Sequence, residues 1–432
     1  MKFVLACYGT RGDIEPCAAV GRELLRRGHE VRVTVPPELV GFVESAGLAA
    51  VPYGPEVQSF WDAEFLRNSN WTDFFRRFWT IRGPIKIVRD AVEPLIRHWG
   101  EMGTTLKSLG DGADLLFTGL LYRDAVANVA EYYDIPMATL HHFPLGANSL
   151  AVRILPAPIV RIAVRLMEWL AWRLTKKADD AQRDELGLPK ATAPPPRRIA
   201  ERGSVEIQAY DAVCFPGLAA EWAQRDDRRP FVGTLTMELT TSGDHEVASW
   251  IAAGTPPICF SFGSLPVESP AETVEMISSA CAQLGQRALI CAAGTDFSDV
   301  APRDHVKVVG TVNYAETFPA CRAVAHHGGA GTTAASLRAG VPTLVLWSTT
   351  DQAIWGNQVQ KLQVGTVRRL SATTRESLIE DLRRILAPEY ATRARELAAR
   401  MTKPADSVAR TADLLEALAR CRSSQGGPIE HG

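Results

Sequence analysis

The chain holds 432 residues, 46% of them apolar and 22% charged, with 47 Lys and Arg against 49 Asp and Glu. This is the composition of an ordinary globular protein that is too long for one compact core, so two domains are expected. A net charge of −2 gives no field that would draw the chain to nucleic acid. The eight cysteines form no C-x-x-C pair and most sit in apolar runs. That argues against a zinc or disulfide framework and for buried, reduced thiols in a cytoplasmic protein. No uninterrupted apolar run approaches the roughly 18 residues of a membrane span. The first apolar run is too short for a secretory signal.

The first half alternates strand and helix signals. Residues 3–7 (FVLAC) read as a short buried strand. Residues 14–28 read as an amphipathic helix with Ile14, Cys17, Val20 and Leu24 on one face and Gly28 as its stop. Residues 30–36 are the next strand, 37–47 the next helix, and 114–119 and 136–142 later buried strands. Residues 56–110 interrupt this rhythm with Trp61, Trp71, Trp79 and Trp99 and with Phe60, Phe65, Phe74, Phe75 and Phe78. A second interruption, 150–186, is a long apolar and basic helical pattern carrying Arg153, Arg161, Arg165, Arg173, Lys176 and Lys177. The polar segment 221–230 ends in proline and reads as a linker between an N-terminal domain, 1–220, and a C-terminal domain, 231–405. In the second half, strands are expected at 256–264, 287–294, 305–310, 323–329 and 341–347, with helices between them. Residues 406–421 form a last helix, and 422–432 read as a disordered tail. The fold class is α/β, two doubly wound parallel sheets facing one another.

In such sheets ligands bind beyond the C-terminal ends of the strands, so the chemistry is sought in those loops. HHGGAGTT (326–333) follows an expected strand and opens a helix. Gly328, Gly329 and Gly331 would let backbone N–H groups approach an anion, Thr332 and Thr333 add hydroxyls, and the helix N-terminus adds about half a positive charge. His327 could donate to a phosphate oxygen and neutralise it. The alternative is a glycine-rich turn that only packs a helix on a sheet. Ser264 closes an earlier strand of the same half and could reach a phosphate from the other side, or simply sit in a tight turn. Asp351 and Gln352 offer acceptors and a carboxamide that suit sugar hydroxyls, while Asp351 also fits a helix N-cap. Asp13, in YGTRGDIEP (8–16), is either an N-cap carboxylate or a general base for a hydroxyl. The adjacent pairs His141–His142 and His326–His327 lack helical metal-ligand spacing. No metal is therefore expected. A nicotinamide enzyme would carry G-x-G-x-x-G after the first strand, which GTRGD does not supply.

Taken together and in order, YGTRGDIEP, FSFGS, HHGGAGTT and DQ resemble the GT-B glycosyltransferases of the UDP-glucosyltransferase-like superfamily. The resemblance covers almost the whole chain. It is nearest in character to bacterial enzymes acting on glycopeptide antibiotics and mycobacterial glycopeptidolipids. It implies two Rossmann-like domains across a cleft, with acceptor in the first and donor in the second, and a last helix that returns to the first. It also implies an inverting, metal-independent transfer from a UDP- or dTDP-sugar as co-substrate, without a cofactor. By motif, His327, Gly329, Gly331 and Thr332 would take the diphosphate with help from Ser264. Val312 and Asn313 would hold the base, Asp351, Gln352 and Thr10 the sugar, and Asp13 would be the base catalyst. Plant members place a histidine in the first loop, whereas this chain offers Arg11 and Asp13. The acceptor would be a hydrophobic hydroxyl compound, lipid-linked or another natural product. Its lining would come from Trp61, Trp71, Phe74, Phe75 and Trp79, with His141 and His142, unless these form a plain helical core. The basic apolar helix 154–177 either rests on the inner face of the plasma membrane or is a core helix with solvated arginines. The rival function is a non-catalytic nucleotide-sugar or lipid binder on the same fold.

Overall fold

The structure, a computed structural model, describes residues 1–57, 83–144, 157–223, 228–263, 269–292, 295 and 303–423. Among these, Met1–Ala212, Gly217–Met237 and the chain from Lys403 onward form one compact unit, and Val213–Pro216 with Glu238–Thr402 the other.

The first unit is built on strands β1 (Lys2–Ala6), β2 (Glu30–Val35), β3 (Ala49–Pro52), β4 (Leu115–Thr118), β5 (Met137–His141) and β6 (Val205–Gln208). All pair in parallel, in the order β3-β2-β1-β4-β5-β6. Its helices include α1 (Arg11–Arg26), α2 (Val40–Ser45), α3 (Gly83–Gly110), α4 (Arg123–Tyr132), α5 (Ala157–Glu185), α6 (Pro195–Glu201) and α7 (Leu218–Ala223). The second unit repeats the plan with β7 (Ile258–Ser261), β8 (Ala288–Cys291), β9 (Val306–Val309), β10 (Ala323–His326), β11 (Thr343–Trp347) and β12 (Gly365–Arg369). Their order is β12-β11-β10-β7-β8-β9. Around them lie α8 (Asp244–Ala252), α9 (Pro270–Gln283), α10 (Tyr314–Thr317), α11 (Ala330–Arg338), α12 (Thr350–Lys361), α13 (Arg375–Ile385) and α14 (Pro388–Ala398). The last helix, α15 (Pro404–Ser423), belongs to the first unit.

Alternation along each strand feeds two faces, and helices cover both. Phe3 and Leu5 of β1 join Ile14, Val20 and Leu24 of α1 and Leu415 of α15 in one core. Val4 and Ala6 point the other way, to Met102 and Leu106 of α3 and Val126 and Val129 of α4. In the second unit Phe260 packs with Val274 and Ile277 of α9 and Leu382 of α13, while Cys259 and Val324 pack with Val247 of α8 and Phe318.

Several boundaries differ from those read in the sequence. The helix expected at 14–28 starts at Arg11, and the one at 37–47 is a 3-10 turn, Pro37–Leu39, followed by the short α2. The strands β6 and β12 escape the apolar pattern because they carry polar side chains, as sheet-edge strands often do, and the edge strand β3 is only four residues long. The segment 221–230 is not a linker between the units. Residues 221–223 end α7, and Arg228 and Pro230 accept hydrogen bonds from Glu206 and Gln208 of the edge strand β6. Pro230, read as a break, instead sits in an extended edge segment that tolerates its missing N–H. Thr236 is then tied to Glu15 of α1 at 2.9 Å.

Helix α15 is clamped by charge as well as by Leu415. Arg27 Nη1 reaches Asp413 and Glu416 at 2.7 and 3.1 Å, and His29 Nε2 lies 3.0 Å from Glu416. Leu415 is fully buried, so Leu415→Ala should cost about 2–5 kcal/mol through lost contact and a residual cavity. A urea unfolding curve with unchanged slope and a lower midpoint would show it; an unchanged midpoint would deny α15 a part in this core.

Candidate active site

Each sheet reverses its strand order once, between β1 and β4 and between β7 and β10. Loops at such a reversal are left unroofed by the flanking helices. The predicted site residues fall largely in those loops and in the ones beside them.

In the second unit, β10 ends in two histidines with separate roles. His326 is fully buried, and its Nδ1 accepts the Gly328 N–H at 2.9 Å, which shapes the turn. Burial pushes it well below the usual histidine range, so it is a neutral structural group. His327 is partly buried, and its N–H donates to the Ser261 carbonyl of β7 at 3.1 Å. Its ring lies in a slot between two glycines. A β-carbon at Gly263, where φ is +70°, would lie 2.6 Å from Cε1, and one at Gly329 would collide with Nε2. Burial lowers the basicity of His327, offset partly by the Ser261 contact and Asp351. Without a bound anion, burial therefore favours the neutral imidazole.

Gly329 is the N-cap of α11, so the N–H groups of Ala330, Gly331 and Thr332 find no acceptor within the helix. Thr333 is buried and turns its hydroxyl back to the Gly329 carbonyl at 2.8 Å, so of the two threonines only Thr332 presents itself at the surface. A β-carbon at Gly331 would meet nothing within 4 Å. The protein's own packing therefore gives no reason for glycine there.

Asp351 is not the N-cap of α12. Thr349 is, and its hydroxyl donates to Asp351 at 2.6 Å. Gln352 is buried, and its Oε1 accepts from the Ser348 and Thr349 N–H groups at 2.8 and 3.2 Å. Asn313 caps α10 through Ala315, and its own N–H is taken by Asp244 at 2.8 Å. Sequence reasoning missed Asp244, although an aspartate just after TTSG at a helix start is a turn signal. It also missed the partnership of Gly263 with His327, which no local pattern announces. Ser264 lies outside the described residues.

In the first unit, Thr10 is the N-cap of α1 and Asp13 its third residue. Asp13 Oδ2 accepts the Thr10 N–H at 2.8 Å and the Thr10 hydroxyl at 3.0 Å. So Asp13 is not the N-cap residue, although it serves the cap. Thr10, expected beside a sugar, has its hydroxyl on Asp13. The Asp13 side chain remains 41% exposed, and its Oδ1 lies 4.0 Å from Nε2 of His142, whose side chain is 11% exposed. His141 turns the opposite way, into the sheet. Its Nε2 pairs with Thr139 at 3.1 Å, and burial holds it well below the usual range. The structure thus removes His141 from any acceptor-facing surface. Trp61, Trp71, Phe74, Phe75 and Trp79 lie outside the described residues. Trp99 is core: 3% exposed, it donates to Gln182 at 2.9 Å and meets the ring of Tyr122 edge-on.

Residues 3–98 match the glycosyltransferase family 28 N-terminal domain, and 275–416 match the erythromycin biosynthesis protein CIII-like C-terminal domain. An uncharacterized glycosyltransferase of Mycobacterium tuberculosis (strain ATCC 25618 / H37Rv), Rv1524, is 59% identical over 424 residues, 97% of this chain and 99% of that protein. The chain is a GT-B glycosyltransferase. A sterol 3-beta-glucosyltransferase of Arabidopsis thaliana, UGT80B1, is 26% identical over 96% of this chain and 67% of its own length. The fold is that of the glycosyltransferase VinC in complex with dTDP, with TM-score 0.64 and 16% identity over 98% of this chain and 100% of that one. As a glycosyltransferase of this family the protein uses a nucleotide sugar.

The glycine slot gives a paired test on stability. Gly263→Ala should destabilise the second unit, because positive φ and the His327 ring both oppose a β-carbon. Gly331→Ala should leave the melting temperature nearly unchanged, within about 0.5 kcal/mol. Thermal unfolding of both variants checks the contrast, and equal melting temperatures would contradict it.

Proposed function

We propose that this glycosyltransferase transfers a hexose or deoxyhexose from a UDP- or dTDP-sugar to a hydroxyl of a lipid, a glycopeptidolipid or another hydrophobic natural product. Transfer proceeds with inversion and without a metal. The observation that carries the donor half is the start of α11. The first N–H groups of the helix have no acceptor within it, a β-carbon at Gly331 would meet nothing within 4 Å, and the His327 ring lies against the N-cap Gly329. A diphosphate fits that chemistry, and the backbone approach it requires accounts for a glycine that packing does not. The peptide of Val312, beside the anchored Asn313, would meet the nucleobase. Asp351 and the Gln352 amide nitrogen would meet the sugar. The dTDP held by VinC supports a thymidine donor, and the sterol named for the Arabidopsis relative supports a hydrophobic alcohol as acceptor.

In the reaction, an acceptor oxygen forms a bond to the anomeric carbon while the bond to the β-phosphate oxygen breaks, and its electron pair leaves with the nucleoside diphosphate. The hydroxyl proton goes to Asp13, which Thr10 holds through Oδ2. Single displacement inverts the anomeric carbon. The N–H groups of α11 stabilise the charge that grows on the β-phosphate.

Turnover of UDP-glucose and dTDP-glucose with dispersed cholesterol as probe acceptor tests this reading. Asp13→Asn should lose about 10²–10⁴-fold in kcat and retain nucleotide affinity by calorimetry, while Gly331→Ala should weaken that affinity. Near wild-type turnover in Asp13→Asn sinks the base assignment. Nucleotide binding indifferent to Gly331→Ala sinks the phosphate site.

We also propose peripheral binding to an anionic membrane through α5. Ile162, Leu166 and Trp169 repeat at helical spacing and are 67%, 59% and 47% exposed. Arg165, Arg173 and Lys177 are exposed among and beyond them, and Glu168 is the sole carboxylate between residues 157 and 178. Apolar anchors rimmed by cations suit an interfacial helix. No helix among the described residues is long and apolar enough to cross a membrane. The protein should sediment with phosphatidylglycerol-containing vesicles but not with pure phosphatidylcholine, and Leu166→Asp should abolish the difference. Failure to bind either vesicle would sink this second reading.

A further inference from the structure

The structure brings to Asp13 a side chain that the sequence placed elsewhere. His142 is the residue after β5, and β5 is separated from β1 by β4 alone. Successive residues leaving a strand point to opposite faces. His141 therefore turns inward to Thr139, and His142 comes out toward the loop that follows β1. There its Nε2 faces Asp13 Oδ1 at 4.0 Å.

Among the described residues, the cations that follow β1 and β4 have other partners. Arg11, the cation of the same loop, reaches Glu15 at 3.3 Å and lies over the Phe42 ring at 4.6 Å. Arg123 lies 3.5 Å from Asp124. Thr10 holds Oδ2 of Asp13 through its N–H and its hydroxyl. The exposures set the order of the pair. Asp13 is 41% exposed and can meet a substrate, whereas His142 is 11% exposed and stands behind it. At 4.0 Å the pair is beyond hydrogen-bond range, about 2.7–3.2 Å. A shift of roughly 1 Å closes it, and such catalytic hydrogen bonds are commonly long in unliganded enzymes.

We propose that His142 is the positioning residue of Asp13: its Nε2–H donates to Oδ1 and, with Thr10 on Oδ2, fixes the carboxylate's orientation from both sides. The inference rests on the reading of Asp13 as the base, but the contact itself does not require turnover to be detected.

Nitrogen-15 NMR of the histidine rings tests it directly, with His142 assigned by its loss in His142→Gln. In Asp13→Asn the His142 ring resonances should move while those of buried His141 and His326 stay in place. Unchanged His142 resonances overturn the pairing, whatever Asp13 does in catalysis. In turnover of UDP-glucose or dTDP-glucose, measured as release of nucleoside diphosphate, His142→Phe should lower kcat by about 10²-fold, the cost of a 1 Å misplacement. The donor KM should stay constant. His142→Gln, which keeps an N–H donor, should recover most of that loss. A folded His142→Phe with wild-type kcat overturns the proposal, and so does a His142→Gln as impaired as His142→Phe. If His142→Phe fails to fold, His142→Ala takes its place against the same two outcomes. Wild-type turnover in Asp13→Asn with shifted His142 resonances would instead remove the base reading and leave the pair standing.

Discussion

The reversal of strand order inside each sheet is the constraint on which the site residues depend. In the first unit α1 and α4 leave β1 and β4 for opposite faces, since they join different cores. In the second, α9 and α11 do the same from β7 and β10. Neither helix can cover the strand ends between them, so the loops there stay open while everything around them is packed. That opening is where Gly263 meets His327, and the Asp13 loop follows β1 at the equivalent point of the other sheet. Helix α11 also starts at the second reversal, and its first N–H groups have no acceptor within the helix.

The central strands were legible because burial on both faces forces unbroken apolar runs such as FVLA and LLFT. VEIQ and GTVRR, at the ends of the two strand orders, were not, because they carry polar side chains that break such runs. At the site, residue type was legible and residue role less so. HHGGAGTT announced a glycine-rich helix start, yet nothing local said that Gly329 gives way to the His327 ring or that Thr333 bonds backward. DQ suggested a sugar clamp or a cap, and the structure gives the cap to a residue before the pair. Thr349 is the cap, Gln352 commits its oxygen to it, and Asp351 receives the Thr349 hydroxyl. His142 was read with the acceptor lining, and its approach to Asp13 depends on β5 lying two strands from β1, a fact of topology.

Burial also redistributes charge. His141, His326 and His327 are all driven toward the neutral form by desolvation. Before any anion binds, the two histidines at the start of α11 are thus held toward the neutral form. On the proposed reading, positive potential would come from backbone dipoles, which are held by the helix and need no reorganisation when charge develops. Gly263 and Gly329 serve that arrangement by letting the imidazole lie flat against the turn, so that a neutral donor is held as rigidly as the backbone donors beside it.

On the proposed reading, the two units carry unequal shares of the barrier. A positioned general base contributes about 10²–10⁴-fold, or roughly 3–5 kcal/mol at 1.36 kcal/mol per factor of ten. Each preorganised donor aimed at developing charge is worth on the order of 3 kcal/mol, and α11 offers several. Those donors also grip the diphosphate of the bound donor sugar, however, and only the part of the grip that strengthens as the bond breaks lowers the barrier. The gain therefore depends on how little the site relaxes toward the ground-state phosphate. A ring wedged between two glycines and a helix end seated on a buried strand are poorly able to relax. The same rigidity that forbids a β-carbon at Gly263 would thus keep the site fitted to the departing diphosphate rather than to the intact nucleotide sugar.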